Sequence, residues 1–201
     1  INVRINKFKI NMQISKLKAK ENYYIIEDVL IPDYSTRKNS QGNIELFSKK
    51  EKKVIKIDFM IISTNGIFPV KVLTFKRTFC GIIGSEKSEF WTHNSFSRIW
   101  MPFSFGIPFG NKSKISNPIT EINKCHLILK DKLDKDISDI PFHPIVVINP
   151  KIKGVDLRQR RENTNVIFYF KILETIKKYN SEEISKSKCE EIQNDITTFT
   201  N

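Results

Sequence analysis

Three positions on two neighbouring strand-like runs have residue types and spacing that bear on chemistry. Asp58 lies in the run 54–62, the clearest strand of the sequence, and Lys71 and Leu73 lie in the run 67–75. Between the runs stands Ser63-Thr64-Asn65-Gly66, and Asn-Gly is the strongest short signal for a hairpin. With Asn65-Gly66 as a two-residue turn, Asp58 faces Leu73 and Met60 faces Lys71. That places Asp58, Lys71 and Leu73 on one face of the sheet. An acidic residue on one strand, facing two functional positions spaced by two on the next, is the geometry of a metal-dependent phosphodiesterase. Carboxylates there hold Mg2+, and a lysine orients or activates the attacking water. In this chain the facing positions carry an ammonium and an aliphatic group instead, so a shared face predicts that Lys71 pairs with Asp58 and neutralises it. Pro69 sits in mid-run and cannot donate to a ladder. It calls for an edge position or a different register, and a bulge would turn Lys71 to the other face.

The elements that must position these residues follow from apolar periodicity and turn chemistry. Ile10, Ile14 and Leu17 recur at helical spacing within residues 1–20. Residues 23–31 read as a strand closed by Pro32 and Asp33, and residues 35–43 as a loop. A further strand is expected over 79–83, ended by Gly84. Residues 92–116 hold Phe96, Trp100, Phe103, Phe105 and Phe109 among Gly, Pro and Ser. They read as a long loop plugged onto the core by its aromatics, with base stacking as the alternative use of those rings. Asn117-Pro118 starts a helix, with Asn as the cap and Pro in the first turn. Ile119, Ile122, His126, Leu129 and Leu133 follow at three- and four-residue steps. A short buried strand is expected over 145–149. Two closing helices are expected over 168–179 and 182–196, the second capped by Ser181 with Glu182 and Glu183 in its first turn. No repeat and no domain boundary is evident, so the chain reads as one domain over 1–201, with a core at about 14–150 and a helical extension at about 165–197.

Composition narrows the class. The 201 residues include 34 Lys and Arg against 22 Asp and Glu, a formal charge of +12. Such an excess favours polyanionic partners, DNA above all, although a chain this rich in Lys, Asn and Ile acquires part of it through composition alone. Cys80, Cys125 and Cys189 are odd in number and widely spaced, as reduced thiols of a cytoplasmic protein would be. His93, His126 and His143 show no metal-ligand spacing, and Cys125-His126 read as packing residues. No apolar run reaches the roughly 18 residues of a membrane span, and no signal peptide is evident. The first residue is Ile1 rather than Met, which leaves an upstream segment open.

Several segments, in order, resemble one family. Residues 55–63 (Ile-Lys-Ile-Asp-Phe-Met-Ile-Ile-Ser) with Asn65-Gly66-Ile67-Phe68 look like the Asp-bearing strand and Gly-Ile-Phe turn of the nuclease-related (NERD) domain. Gly81-Ile82-Ile83-Gly84-Ser85 with Trp91 resembles its Gly-x-x-Gly-Ser and Trp. Residues 117–123 (Asn-Pro-Ile-Thr-Glu-Ile-Asn) with His126 resemble its Asn-Pro-x-x-Gln-Asn helix start, and residues 144–148 its next strand. The similarity runs over about 14–196, with two terminal helices that resemble family tails. It implies an α/β (α+β) fold with a restriction-endonuclease-like core, in which a mixed central sheet with a β-hairpin is flanked by helices. It also implies DNA processing with Mg2+, as in the PD-(D/E)XK nucleases.

Transferred one by one, the family residues land unevenly. Asp58 matches the metal-binding Asp, the family Glu falls on Lys71, its Lys on Leu73, its Gln on Glu121, and a loosely aligned first-helix acid near Lys7. Asp58, Lys71 and Glu121 are therefore the candidate site, with Asp58 the sole inherited metal ligand. A lone Asp holds Mg2+ poorly beside an ammonium. The expectation is a degenerate nuclease site without bound Mg2+, on a domain that retains DNA affinity through Lys52, Lys53, Lys76, Arg77, Arg158, Arg160 and Arg161. One alternative is an active Mg2+-dependent endonuclease with a rearranged site, in which Glu121 joins Asp58; a first-turn acid favoured by the helix dipole is the plainer use of Glu121. The other alternative is a protein-interaction module that binds no nucleic acid.

Overall fold

The computed structural model describes residues 2–19, 22–33, 37–38, 44–45, 53–73, 80–85, 87–96, 110–132, 140–148, 152–158, 165–179 and 184–200. Its centre is a run of apolar and β-branched residues that no helix period fits. This run forms β4 (Lys53–Ser63), which pairs antiparallel with β1 (Tyr23–Asp33) on one side and with β5 (Gly66–Leu73) on the other. Beyond β5 the pairing becomes parallel, through β9 (Ile145–Ile148) to β11 (Asn165–Phe168). The result is a five-stranded mixed sheet in the order β1-β4-β5-β9-β11. A second, four-stranded sheet runs β10-β6-β7-β8, made of β6 (Cys80–Ser85), β7 (Phe90–Phe96), β8 (Gly110–Ser116) and β10 (Ile152–Arg158). A short ribbon joins β2 (Arg37–Lys38) to β3 (Ile44–Glu45).

Helices cover both faces of the five-stranded sheet, as the parallel pairs require. On one face α1 (Asn2–Lys18) and α3 (Ile172–Lys177) bury Ile10, Ile14, Leu17, Ile172 and Ile176 against Phe59, Ile61, Phe68, Val70, Ile145 and Val147. On the other, α2 (Pro118–Lys132) and α4 (Lys186–Thr200) bury Ile119, Ile122, Leu129, Ile192 and Ile196 against Met60, Ile62, Ile67, Val146 and Ile148. Ile82 and Trp91 bring the second sheet into this cluster. Each such side chain, fully buried, contributes about 1.5–3 kcal/mol. The mixed sheet with helices on both sides is the α+β, nuclease-like core that the sequence implies.

The alternation of side chains along β4 slips once. Ile55 and Ile57 belong to the α2–α4 cluster, and so do Met60 and Ile62, while Phe59 and Ile61 point to α1 and α3. Ile57 and Met60 are three residues apart on one face, where a regular strand allows two or four. β1 slips beside it: Tyr24 and Ile26 pack on the same cluster as Val29 and Ile31. Asp28, at φ +53°, sits in that slip and Asp58 in the other. The pairs Glu27↔Phe59 and Val29↔Ile57 flank them.

Several expectations need correction. Residues 92–96 and 110–116 are not loop but β-structure in β7 and β8, paired from Phe90↔Ser116 to Phe96↔Gly110. The Gly, Ser and Asn content that reads as loop is tolerated because Trp91 and Ile115 supply the apolar side. Phe96 ends β7, while Trp100, Phe103, Phe105 and Phe109 lie outside the described residues. The helix expected over 168–179 is instead the end of β11, a 3-10 turn (Tyr169–Lys171) and the short α3. The last helix begins at Lys186. Its cap is Ser185, whose Oγ accepts the Lys188 N–H at 3.3 Å, and not Ser181. Pro32 and Asp33 continue β1 rather than close it.

Candidate functional site

The hairpin that presents the site turns one residue earlier than Asn-Gly suggests. Ser63 pairs with Gly66, so Thr64 and Asn65 form the turn. A type I′ turn on Asn65-Gly66 needs positive φ at both residues and a type II′ turn at the first, and among the described non-glycine residues only Asp28 has it. Gly66 is at φ +130°, and a Cβ there would stand 2.5 Å from Pro141 O. The chain thus approaches residue 141 closely, and Ile67 N donates to Pro141 O at 2.9 Å. The register moves by two: Met60 faces Pro69 and not Lys71, and continuation brings Asp58 level with Lys71 rather than Leu73. A shift of two preserves the face, so Lys71 and Leu73 still point toward α2 and α4.

Pro69 disturbs nothing here. His143 N donates to Ile67 O, so the polar groups of Ile67 face the segment leading into β9, and those of Pro69, two residues on, face the same way. The missing N–H therefore falls outside the β4 ladder, and the pairs around Met60↔Pro69 run without a bulge although β5 is a central strand.

The β4–β5 pairing stops at Phe59↔Val70, where β4 slips. Two side chains bridge the opening. Asp58 Oδ2 accepts the Val72 N–H at 2.7 Å, replacing a backbone acceptor. Lys71 Nζ donates to Lys56 O at 2.6 Å and lies 2.7 Å from Glu121 Oε2. The ion pair of Lys71 is thus with Glu121, not with Asp58. Asp58 acts electrostatically on Lys56. The hydrogen bond of Lys56 to Asp28 raises its pKa, burial opposes, and the charges of Asp28 and Asp58 add to the rise. Lys56 Nζ is 2.7 Å from Asp28 Oδ1. That pair is half exposed, at 51% and 47%, whereas Lys71 and Glu121 are sheltered at 18% and 30%. Asp28 and Lys56 were missed from the sequence. Lys56 carried the better signal, two residues before Asp58 on the same strand.

Glu121 is delivered by a well-determined helix start. Asn117 Oδ1 accepts the Ile119 N–H at 3.0 Å, the expected cap. Its Nδ2 donates to Ser88 O at 2.7 Å and Ser85 O at 3.1 Å, and its N–H to Glu89 O. Ser85 O also receives Trp91 Nε1 at 3.1 Å and Ser88 Oγ at 2.8 Å. A Cβ on Gly84 would run into Trp91 Cδ1, so the ring needs the glycine. Gly84, Ser85, Trp91 and Asn117, separate motifs in the sequence, meet at one carbonyl and fix α2 to the β6–β7 turn.

Elsewhere, Cys125 and His126 do pack. Burial pushes the Cys125 thiol up to about 12, and His126 stacks on Phe142 with centroids 4.0 Å apart. Among the described residues, no group of three or more His, Cys, Asp or Glu is placed to hold a metal ion. Of the basic residues expected to contact nucleic acid, Lys53 opens β4 and Arg158 ends β10, in different sheets. Lys52, Lys76, Arg77, Arg160 and Arg161 lie outside the described residues, as does the placement of the Lys7 side chain. Lys114 of β8 has its Nζ 5.9 Å from the Phe90 ring centroid. No described helix is long and apolar enough to cross a membrane.

A mixed sheet opened at one end beside an acidic residue, with a helix start aimed at the opening, belongs to the nuclease-like class of α+β domains. The family described as Nuclease-related domain (NERD) matches residues 6–149, well over half of the chain, and the chain belongs to that family. The match takes in α1 through β9 and ends before β10, so the terminal helices counted as family-like in the sequence lie beyond it. No curated protein and no solved structure matches the chain.

Proposed function

We propose that this chain is a nucleic-acid-binding NERD domain whose metal-dependent phosphodiesterase site no longer performs the chemistry. The observation that carries this reading is the Lys71–Glu121 ion pair. A cleaving site of this kind needs carboxylates free to hold a divalent ion and a lysine free to act on water. Here Glu121 is engaged by an ammonium, one oxygen of Asp58 is engaged by the Val72 N–H, and the second position of β5 carries Leu73. Mg2+ does not fit this donor set. The net charge of +12 supports retained affinity for DNA. We assign phosphate contacts to Lys52, Lys53, Lys76, Arg77, Arg158, Arg160 and Arg161.

Duplex and single-stranded DNA titrated at several salt concentrations, beside plasmid incubated with Mg2+ or Mn2+, test the reading. Binding should weaken steeply with salt, by about −0.9 in the logarithmic slope per phosphate neutralised, and the plasmid should stay intact. Lys52→Glu with Lys53→Glu should make that slope shallower by about 2. Cleavage that Asp58→Ala abolishes would overturn the loss of chemistry, and absence of binding at low salt would overturn the DNA assignment.

A further inference from the structure

The contacts of Lys71 are those of a cation held by oxygen ligands. Its Nζ lies 2.6 Å from a backbone carbonyl, Lys56 O, and 2.7 Å from a carboxylate oxygen, Glu121 Oε2. These come from two elements, β4 and α2, and the ammonium itself comes from a third, β5. Carbonyl and carboxylate oxygens are the hard donors that Mg2+ and Mn2+ also take. The opening is lined besides by Asp58, whose carboxylate reaches from β4 to the Val72 N–H. The Lys71 side chain is sheltered, so its charge acts in a medium less screening than bulk water.

We propose that the Lys71 ammonium is a tethered cation that takes the place of a divalent ion at this opening, tying β4, β5 and α2 together and keeping metal out. The proposal rests on the reading of the site as one that has lost its metal chemistry, and it adds the cause: the exclusion is imposed by one removable charge, not by a collapsed pocket. It follows that removing the ammonium uncovers a cation site. In Lys71→Glu, a carboxylate replaces the ammonium on β5 beside Glu121, in the opening that Asp58 also lines. In Lys71→Gln, the ammonium goes and the two acidic residues remain.

The test is Mn2+ titration of the full chain by calorimetry and by the spin-resonance signal of free Mn2+, with no DNA present. Lys71→Glu should bind one Mn2+ at least tenfold more tightly than the unsubstituted chain and lose that gain when Glu121→Gln is added. Lys71→Gln should gain severalfold. Thermal unfolding of the unsubstituted chain should be unmoved by Mn2+ or by EDTA, while that of Lys71→Glu should rise with Mn2+. No gain in a folded Lys71→Glu overturns the proposal. If that variant does not fold, no gain in Lys71→Gln overturns it. Tight Mn2+ binding to the unsubstituted chain that Asp58→Ala removes also overturns it. Failure of DNA binding leaves these arms untouched, and failure of these arms leaves the DNA titration untouched.

Discussion

Lys71 on β5 and Glu121 at the start of α2 hold each other at 2.7 Å, with Asp58 turned aside to the Val72 N–H. Asp58 is thus occupied with the backbone, and the charges of Lys71 and Glu121 satisfy each other. A double-mutant cycle of Lys71→Met and Glu121→Gln, read by urea unfolding, should give a coupling of about 1 kcal/mol, at the upper end of the range of exposed pairs because both partners are sheltered. A coupling near zero would mean that the pair holds nothing together.

Asn117 should be worth more than an ordinary cap. Asn117→Ala removes the acceptor for the Ile119 N–H and the donor to two carbonyls in a buried setting. A loss of about 2 kcal/mol is expected, roughly one from the cap and the rest from Ser88 O, which loses this donor while Ser85 O keeps Trp91 Nε1 and Ser88 Oγ. Asn117→Asp keeps the acceptor but not the donor, so in chemical denaturation it should fall between the alanine variant and the unsubstituted chain. Recovery to the unsubstituted value would show that the cap alone matters.

Stability should fall on mild acidification through His126. Burial beside Phe142, and then the charge of Lys130, lower its pKa below the usual 6.5. Between the lowered folded value and the ordinary unfolded one, the unfolded chain binds more protons. Unfolding free energy therefore rises with pH in that window, and the penalty is fully present below the folded pKa. His126→Phe should flatten the dependence just below pH 6.5, measured by denaturation at a series of pH values.

Cys125 should be inert in the folded protein. Its thiol is buried, with a pKa pushed up to about 12, so the reactive thiolate is scarce at neutral pH. Mass spectrometry after iodoacetamide treatment should find Cys125 unmodified until denaturant is added. Modification at native pH and temperature would contradict the burial.

Much of the scaffold was legible because its signals are local. Ile10, Ile14 and Leu17 announce α1 by spacing, and Asn117-Pro118 marks the start of α2 to the residue. The face shared by Lys71 and Leu73 survived a one-residue error in the turn because that error moves the register by two. What escaped depends on distant partners. β7 and β8 are poor in apolar residues and exist through each other and through Trp91. The partner of Lys71 could not be read from strand register, since Glu121 arrives from a helix fifty residues on, positioned by a carbonyl of the β6–β7 turn. The slip in β4 was hidden too, because an unbroken apolar run such as Phe59–Ile62 carries no mark of which residue faces which side.

The paired slips at Asp28 and Asp58 have a consequence for how this chain tolerates changes in length. Each strand carries the same phase error at the same level, so the two cancel and the ladder on either side stays in step. Deleting Asp28 alone keeps Tyr24, Ile26, Val29 and Ile31 on one face but leaves Asp58 as an unmatched residue of β4, so the chain should fold with a one-sided bulge and unfold at lower urea. Deleting Asp28 and Asp58 together should restore phase in both strands, and circular dichroism should find that chain folded, though without the carboxylate at its opening. A change of length is therefore most easily absorbed at this one level of the two strands, where the alternation is already broken.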